Sequence, residues 1–307
     1  MDLKRLAGLL AAFTGGTAIA VQSRINGELA RGLGDGLFAA LVSFGVGLAL
    51  LCLVVASARN PRAAVGRWVR ALRSGELRPW QCLGGVAGAW YVTTQGLTAS
   101  ILGVAVFTVA VVAGQVVSSL VVDRAGIGPG GPVPITWPRA VGAALAVLAV
   151  AVAVSDEFGE PRTLWLAVLP ALGGAAMGWQ QAVNGLVRAA SGSVRFATLV
   201  NFAVGTVALL LACAVDVVVR GWPAPPPTDW WLYTGGAIGI VALTTAVFAV
   251  RHIGVLLLGL CAVCGQITGS IAVDLLGRGV STATLAGAAV TLLAVVVAAA
   301  RRPAMRG

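Results

Sequence analysis

Apolar residues fill the chain in long blocks, broken by short joints of charged residues, glycine and proline. The blocks cover approximately residues 6–28, 35–57, 81–99, 101–122, 139–154, 163–187, 194–218, 231–250, 253–275 and 282–300. About 20 consecutive apolar residues cross a bilayer as a helix, so each block predicts one span, with 139–154 the shortest. A lipid-spanning sheet would instead need alternating polar and apolar positions closed into a barrel. Ala143–Val154 and Leu285–Ala300 are apolar without alternation, which selects helix. One joint has a period of its own. Over residues 61–73, Val65, Trp68, Val69 and Leu72 share one helical face and Arg67, Arg70 and Arg73 the other. That pattern predicts an amphipathic helix lying on the cytoplasmic leaflet.

The pattern also repeats. Shifted by 158 residues, Gly15, Gly16, Gln22, Asn26 and Gly27 fall on Gly173, Gly174, Gln180, Asn184 and Gly185, and Phe38, Phe44 and Gly47 fall on Phe196, Phe202 and Gly205. Shifted by 151, Trp80, Gly84, Gly85 and Gly88 meet Trp231, Gly235, Gly236 and Gly239, and Gly114, Gln115, Ser119 and Asp123 meet Gly265, Gln266, Ser270 and Asp274. Apolar stretches align by chance, but matched Gln, Asn, Asp and Trp over this length do not. Five blocks per half is an odd number, so the second half enters the membrane from the opposite side. The expected fold is therefore all-α and integral to the membrane, with ten transmembrane helices as two inverted five-helix repeats. Residues 1–155 form the N-terminal repeat, 156–162 a linker and 163–307 the C-terminal repeat. Such symmetry recurs in secondary transporters, where exchanging the conformations of the halves exchanges access from one side to the other.

Composition agrees and narrows the classes. Of 307 residues 58% are hydrophobic and 10% charged, against about 25% charged in soluble domains, and mean hydropathy is +0.94. Lipid must replace polar coating. The net charge of +10 is lopsided: with ten spans, 16 of the 21 basic residues fall on the side of the N-terminus, which predicts cytoplasmic termini. Insertion and anionic lipid account for the basic balance, so no nucleic-acid partner is expected. The five cysteines lie in or beside spans and read as small packing residues. Cys261-x-x-Cys264 sits mid-span, the glycines at 126–131 follow no strand, and His252 is the only histidine. Redox, nucleotide-loop and paired-histidine metal chemistry are not expected, and no cofactor is implied.

The repeated motifs carry a resemblance. A glycine-rich first helix ending in Gln-x-x-x-Asn-Gly (Gln22–Gly27, Gln180–Gly185), with Gly-Gln and a downstream Asp (Gly114-Gln115…Asp123, Gly265-Gln266…Asp274), resembles the YdcZ-like family of the drug/metabolite transporter superfamily, here in a fused double-length form. The resemblance covers nearly the whole chain. It implies a multi-pass protein of the bacterial cytoplasmic (inner) membrane that exports a small metabolite or xenobiotic, and it leaves the substrate open. Partners are then a small-molecule substrate and the lipid bilayer, and a homodimer is allowed. The alternatives are a non-catalytic scaffold or channel-like protein and an intramembrane lipid-modifying enzyme, although the last would need clustered acids or histidines.

Polar side chains inside spans are costly and tend to face protein or water. Gln115, Ser119 and Asp123 are spaced i, i+4, i+8, one helical stripe, and Gln266, Ser270 and Asp274 repeat it. The stripes line a central cavity or bind neighbouring helices together. Gln115 and Gln266, two turns deeper than the acids, are the leading substrate contacts. Gln22, Asn26, Gln180 and Asn184 offer neutral donors and acceptors near the two mouths, or cap and bridge helices there. Asp123, beside Arg124, and Asp274, four residues before Arg278, read as gate or helix-end residues held by local ion pairs. Gly84-x-x-x-Gly88 and Gly235-x-x-x-Gly239 predict close helix packing. The fifth and tenth spans, almost wholly Ala, Val, Leu and Gly, are expected at the periphery.

Overall fold

Apolar runs this long, with proline inside only one of them, at Pro170, leave the backbone no partner but itself, and in lipid that dictates helix. The computed structural model describes residues 3–56, 61–129, 131–153, 155, 161–277 and 279–299, and among these no strand forms. The helices are α1 (Leu3–Leu33), α2 (Gly36–Ala56), α3 (Pro61–Arg73), α4 (Gly84–Thr94), the single turn α5 (Ser100–Leu102), α6 (Val104–Arg124), α7 (Trp137–Ala153), α8 (Pro161–Ser191), α9 (Val194–Arg220), α10 (Gly235–Gly277) and α11 (Thr282–Ala299). Among the described residues, four stretches are long and apolar enough to cross a membrane: Leu6–Leu33, Gly36–Ala56, Val104–Arg124 and Val194–Arg220. Trp137–Ala153, Cys261–Gly277 and Thr282–Val297 are shorter apolar helices. Residues 156–160 of the expected linker, Arg278 and the C-terminal residues from 300 lie outside the described residues, as does the side chain of His252.

Where two spans were expected over 231–250 and 253–275, the residues Gly235–Gly277 are helical throughout and form one element. The segment is not straight. Gly15 lies against Ala242 and Thr245, while its neighbour Gly16 lies against Ala262 and Gln266. Twenty helical residues rise roughly 30 Å, so one point on α1 can touch both stretches only if α10 folds back between them. Residues 235–245 therefore descend along α1 as Asn26 meets Gly235 and Gln22 meets Gly239, and residues 262–277 climb beside it as Thr17 meets Gly269 and Arg24 meets Gly277.

The helix α8 sits in the same way between α4 and α6. Gly84 meets Asn184, Gly88 meets Gln180, Gly173 meets Thr94, Gly174 meets Val111 and Gly178 meets Ser118. Each contact is the counterpart of one around α1, with the halves exchanged. The tightest are backbone to backbone: a methyl on Gly85 would overlap the Asn201 carbonyl and one on Gly236 the Ser43 carbonyl. Likewise Gly114 abuts the Ala171 carbonyl and Gly265 that of Phe13. In lipid, helices gain little from burying leucine against leucine, so small residues that admit close approach supply the attraction. Between α2 and α9, Phe44 stacks on Phe202 with centroids 4.9 Å apart, each ring over a glycine of the other half, Gly205 and Gly47.

The helices α7 and α11 pair with each other, Gly287 against Ala149 and Ala153, and Ala146 and Ala294 close on Ala113 of α6. Their other faces expose Val147, Leu148, Leu293 and Val296, which places them at the edge of the bundle. The helix α3 uses Ala64, Trp68, Ala71 and Leu72 against the protein, packing on Val187, Phe196 and Ala197 at the turn between α8 and α9.

Candidate functional site

The two halves share a sequence pattern but not every local structure. Between α4 and α6 the helix loosens into a π turn at Gln95–Ala99 and breaks at Gly103. Gly103 takes φ +87°, a backbone conformation open to glycine at no steric cost. The break leaves the first N–H groups of α6 without intrahelical acceptors, deep in the bundle. Asp274 supplies them: Val104 N–H donates to Oδ1 at 3.0 Å and Ala105 N–H to Oδ2 at 2.7 Å. The carboxylate is buried and opposes the positive end of the helix dipole. The expected pairing of Asp274 was with Arg278, which lies outside the described residues; its recorded partners are these backbone groups.

Asp123 lies differently. It is half-exposed and takes an ion pair from Arg139 of α7 rather than from its neighbour Arg124. Matched in sequence, the two acids hold unlike positions. The serines between each acid and its glutamine are satisfied locally, Ser119 donating to Val116 O and Ser270 to Ile267 O.

The Gln-x-x-x-Asn motifs knit helices together. Gln95 lies fully buried in the π turn. It accepts from Asn26 Nδ2 at 2.6 Å and donates to Ser23 Oγ at 2.9 Å. The remaining oxygen of Asn26 is buried without a partner, over Gly235. In the other half Asn201 Oδ1 accepts from Gln180 Nε2 at 2.9 Å and from Asn184 Nδ2 at 3.0 Å, leaving Gln180 Oε1 unpartnered. Gln22 is buried against Gly239 as Gln180 is against Gly88. The sequence reading did not single out Gln95 or Asn201, although both anchor these networks. Each lacks an amide counterpart in the other half, Ala246 standing for Gln95 and Ser43 for Asn201, so a search for matched residues passes over them.

Gln115 and Gln266 differ from Asn26, Gln180 and Asn184. Both are half-buried, and neither side chain has a hydrogen-bond partner among the described residues. Their backbones sit at the two crossings, Gln115 beside Gly178 and Gln266 beside Gly16. Of the six carboxamides, Asn26, Gln180 and Asn184 are hydrogen-bonded to other side chains, whereas Gln22, Gln115 and Gln266 keep free donors and acceptors among the described residues, Gln22 as a buried group and the other two half-buried. Among the described residues no group of three or more His, Cys, Asp or Glu could hold a metal ion, and the five cysteines are unpaired.

Two segments, residues 7–152 and 165–300, each match the family described as "Putative inner membrane exporter, YdcZ". The chain belongs to the YdcZ family. Each matched segment contains one Gln-x-x-x-Asn-Gly motif and one Gly-Gln…Asp motif, so the YdcZ unit occurs twice in tandem. Membership makes it an inner-membrane protein of a transport family, an assignment the apolar helices support. No curated protein matches the chain.

Proposed function

We propose that this YdcZ-family chain is a secondary transporter that exports a small metabolite or xenobiotic across the bacterial cytoplasmic membrane by alternating access. In this reading ten spans form two inverted repeats, residues 1–155 and 163–307, joined by 156–162, with both termini cytoplasmic. The observation that carries it is the exchange of contacts between halves. The pairs Gly84–Asn184, Gly88–Gln180, Gly85–Asn201 and Gly114–Ala171 recur as Gly235–Asn26, Gly239–Gln22, Gly236–Ser43 and Gly265–Phe13. A two-fold relation between the halves generates such a set, and an odd number of spans per half lays its axis in the membrane plane.

The free carboxamides of Gln115 and Gln266 are the proposed substrate contacts. Gln22, Asn26, Gln180 and Asn184 form the walls that hold α1 and α8 in place, with substrate contact confined to the remaining acceptors of Asn26, Gln180 and Asn184 and to the buried, unbonded amide of Gln22. Asp274 and Asp123 act at helix ends, as one closed and one open member of a pair of gates. Transport needs no covalent chemistry in this scheme.

The test begins with purified protein and a panel of metabolites and toxic cations screened for thermal stabilisation, since a ligand that binds only the folded state raises its stability. Stabilising compounds are then offered to proteoliposomes. Saturable flux that falls in Gln115→Ala and Gln266→Ala is expected. Flux that rises linearly with concentration would make the chain a channel, and stabilisation without flux would make it a scaffold.

A further inference from the structure

We propose that α3 carries a docking surface for anionic phospholipid headgroups, and that lipid bound there holds the turn between α8 and α9. The placement of this surface at the cytoplasmic leaflet rests on the topology proposed above; the contact itself does not.

The argument starts from a comparison inside the molecule. The turn between α1 and α2 and the turn between α8 and α9 are equivalent. Gly34 and Gly192 take φ +67° and +64°, and Asp35 and Ser193 cap the helices that follow. Each turn is clamped by a segment of the opposite half at the equivalent carbonyl. Ala224 N–H donates to Leu33 O at 3.0 Å, with Pro227 packed on Gly32. Arg67 Nε donates to Ser191 O at 2.8 Å, with its guanidinium on Gly192. The clamp at Leu33, residues 221–229, contains no basic residue. Clamping therefore does not require positive charge, yet the α3 clamp is rich in it.

The one carboxylate in this segment, the exposed Glu76, forms no ion pair among the described residues. Arg24 and Arg31 share Glu28, and Arg220 pairs with Asp216. Arg62, Arg70, Arg73, Arg78, Arg188 and Arg195, clustered around α3 and its turn, are exposed and have no ion pair among the described residues. Helix geometry aims three of them outward. At 100° per residue, Arg62, Arg73 and Arg70 fall within a sector of roughly 80°, opposite the buried face of Ala64, Trp68 and Ala71. Arg67, on one flank, reaches the tip of the turn. Val65, 42% exposed, lies on the other flank with Val69, as a helix at the interface would place groups toward the acyl chains. The arginine sector then lies at headgroup level, where each basic residue is drawn to an anionic leaflet.

Hydrogen–deuterium exchange of the full chain in nanodiscs tests this, because both faces of the protein meet lipid there and no transport is needed. In an equimolar mixture of phosphatidylglycerol and phosphatidylcholine, amides of 61–73 and 190–194 should exchange on the order of tenfold or more slowly than in phosphatidylcholine alone. High salt should remove the difference, as should the combined variant Arg62→Gln, Arg70→Gln, Arg73→Gln. Arg67→Gln should speed exchange of the turn in both lipids. Equal protection of the wild-type chain in the two lipids overturns the proposal, and this comparison decides even if the triple variant does not fold. A triple variant that keeps the lipid response overturns it too. Slowing by soluble phosphate in neutral lipid would mark a free-anion site and also refute it. Absence of flux for every compound would leave the lipid result standing and count against the transport reading alone.

Discussion

Asp274 and Asp123 occupy matching places in the repeats, and a change at each should have very different consequences. Asp274→Ala leaves the N–H groups of Val104 and Ala105 buried without acceptors, at about 1–3 kcal/mol each. Asp123→Ala removes a half-exposed ion pair worth at most about 1 kcal/mol. Thermal unfolding in detergent should show a large drop for the first and a small one for the second, and equal drops would refute the capping geometry. The carboxamides divide similarly. Gln95→Ala or Asn201→Ala orphans buried amides on neighbouring helices and should lower the amount of folded protein in the membrane. Gln115→Ala and Gln266→Ala break no bond within the described residues, so abundance should stay near normal while transport falls. Wild-type flux in both Gln variants would remove them from the site. The repeat made Gln115 and Gln266 legible in sequence because they are duplicated. Gln95 and Asn201 escaped notice because one half supplies each anchor and the other half does without it.

At the scale of elements, the blocks of apolar residues foretold an all-helical chain, and four of them, Leu6–Leu33, Gly36–Ala56, Val104–Arg124 and Val194–Arg220, are helices long and apolar enough to cross a membrane. Hydropathy could not foresee that α10 stays helical through its reversal. In the other half the chain instead leaves the helix at Gly103, with φ +87°. Nor could the amphipathic pattern of α3 tell protein from lipid as the occupant of its apolar face. Packing between elements was foreshadowed by the Gly-x-x-x-Gly spacings, and it allows a sharp contrast. Gly85→Val and Gly236→Val drive a side chain into a carbonyl of the facing helix, Asn201 or Ser43. Overpacking of this kind costs about 1–3 kcal/mol or more. Gly45, on α2, has open space around it, so Gly45→Ala should be neutral or stabilising by up to about 1 kcal/mol through helix propensity. Melting temperatures of the three variants check both directions, and a Gly45→Ala variant as damaged as the others would argue against the packing assigned to α2.

For the whole molecule the decisive property is the relation between halves. The residues that reveal the repeat in sequence are the ones that touch across it in space: Asn26 on Gly235, Asn184 on Gly84, Phe44 on Gly205, Phe202 on Gly47. That coincidence explains why the duplication is legible in a chain otherwise dominated by Ala, Val and Leu. Neither repeat is a separate body, because α1 is enclosed by α10 and α8 by α4 and α6, so movement of one first helix must disturb the other half. Whether this coupling produces alternating access depends on the repeats facing opposite ways. Arg31 and Ala189 are equivalent under the shift of 158 residues, and both are exposed one turn before the tight glycine turns. In a chain whose five cysteines are replaced, Arg31→Cys should react with an impermeant maleimide added to intact cells. Ala189→Cys should react only after the membrane is opened. If both label from one side, each half crosses an even number of times, the repeats are parallel, and exchange of their conformations could not carry a site from one face of the membrane to the other.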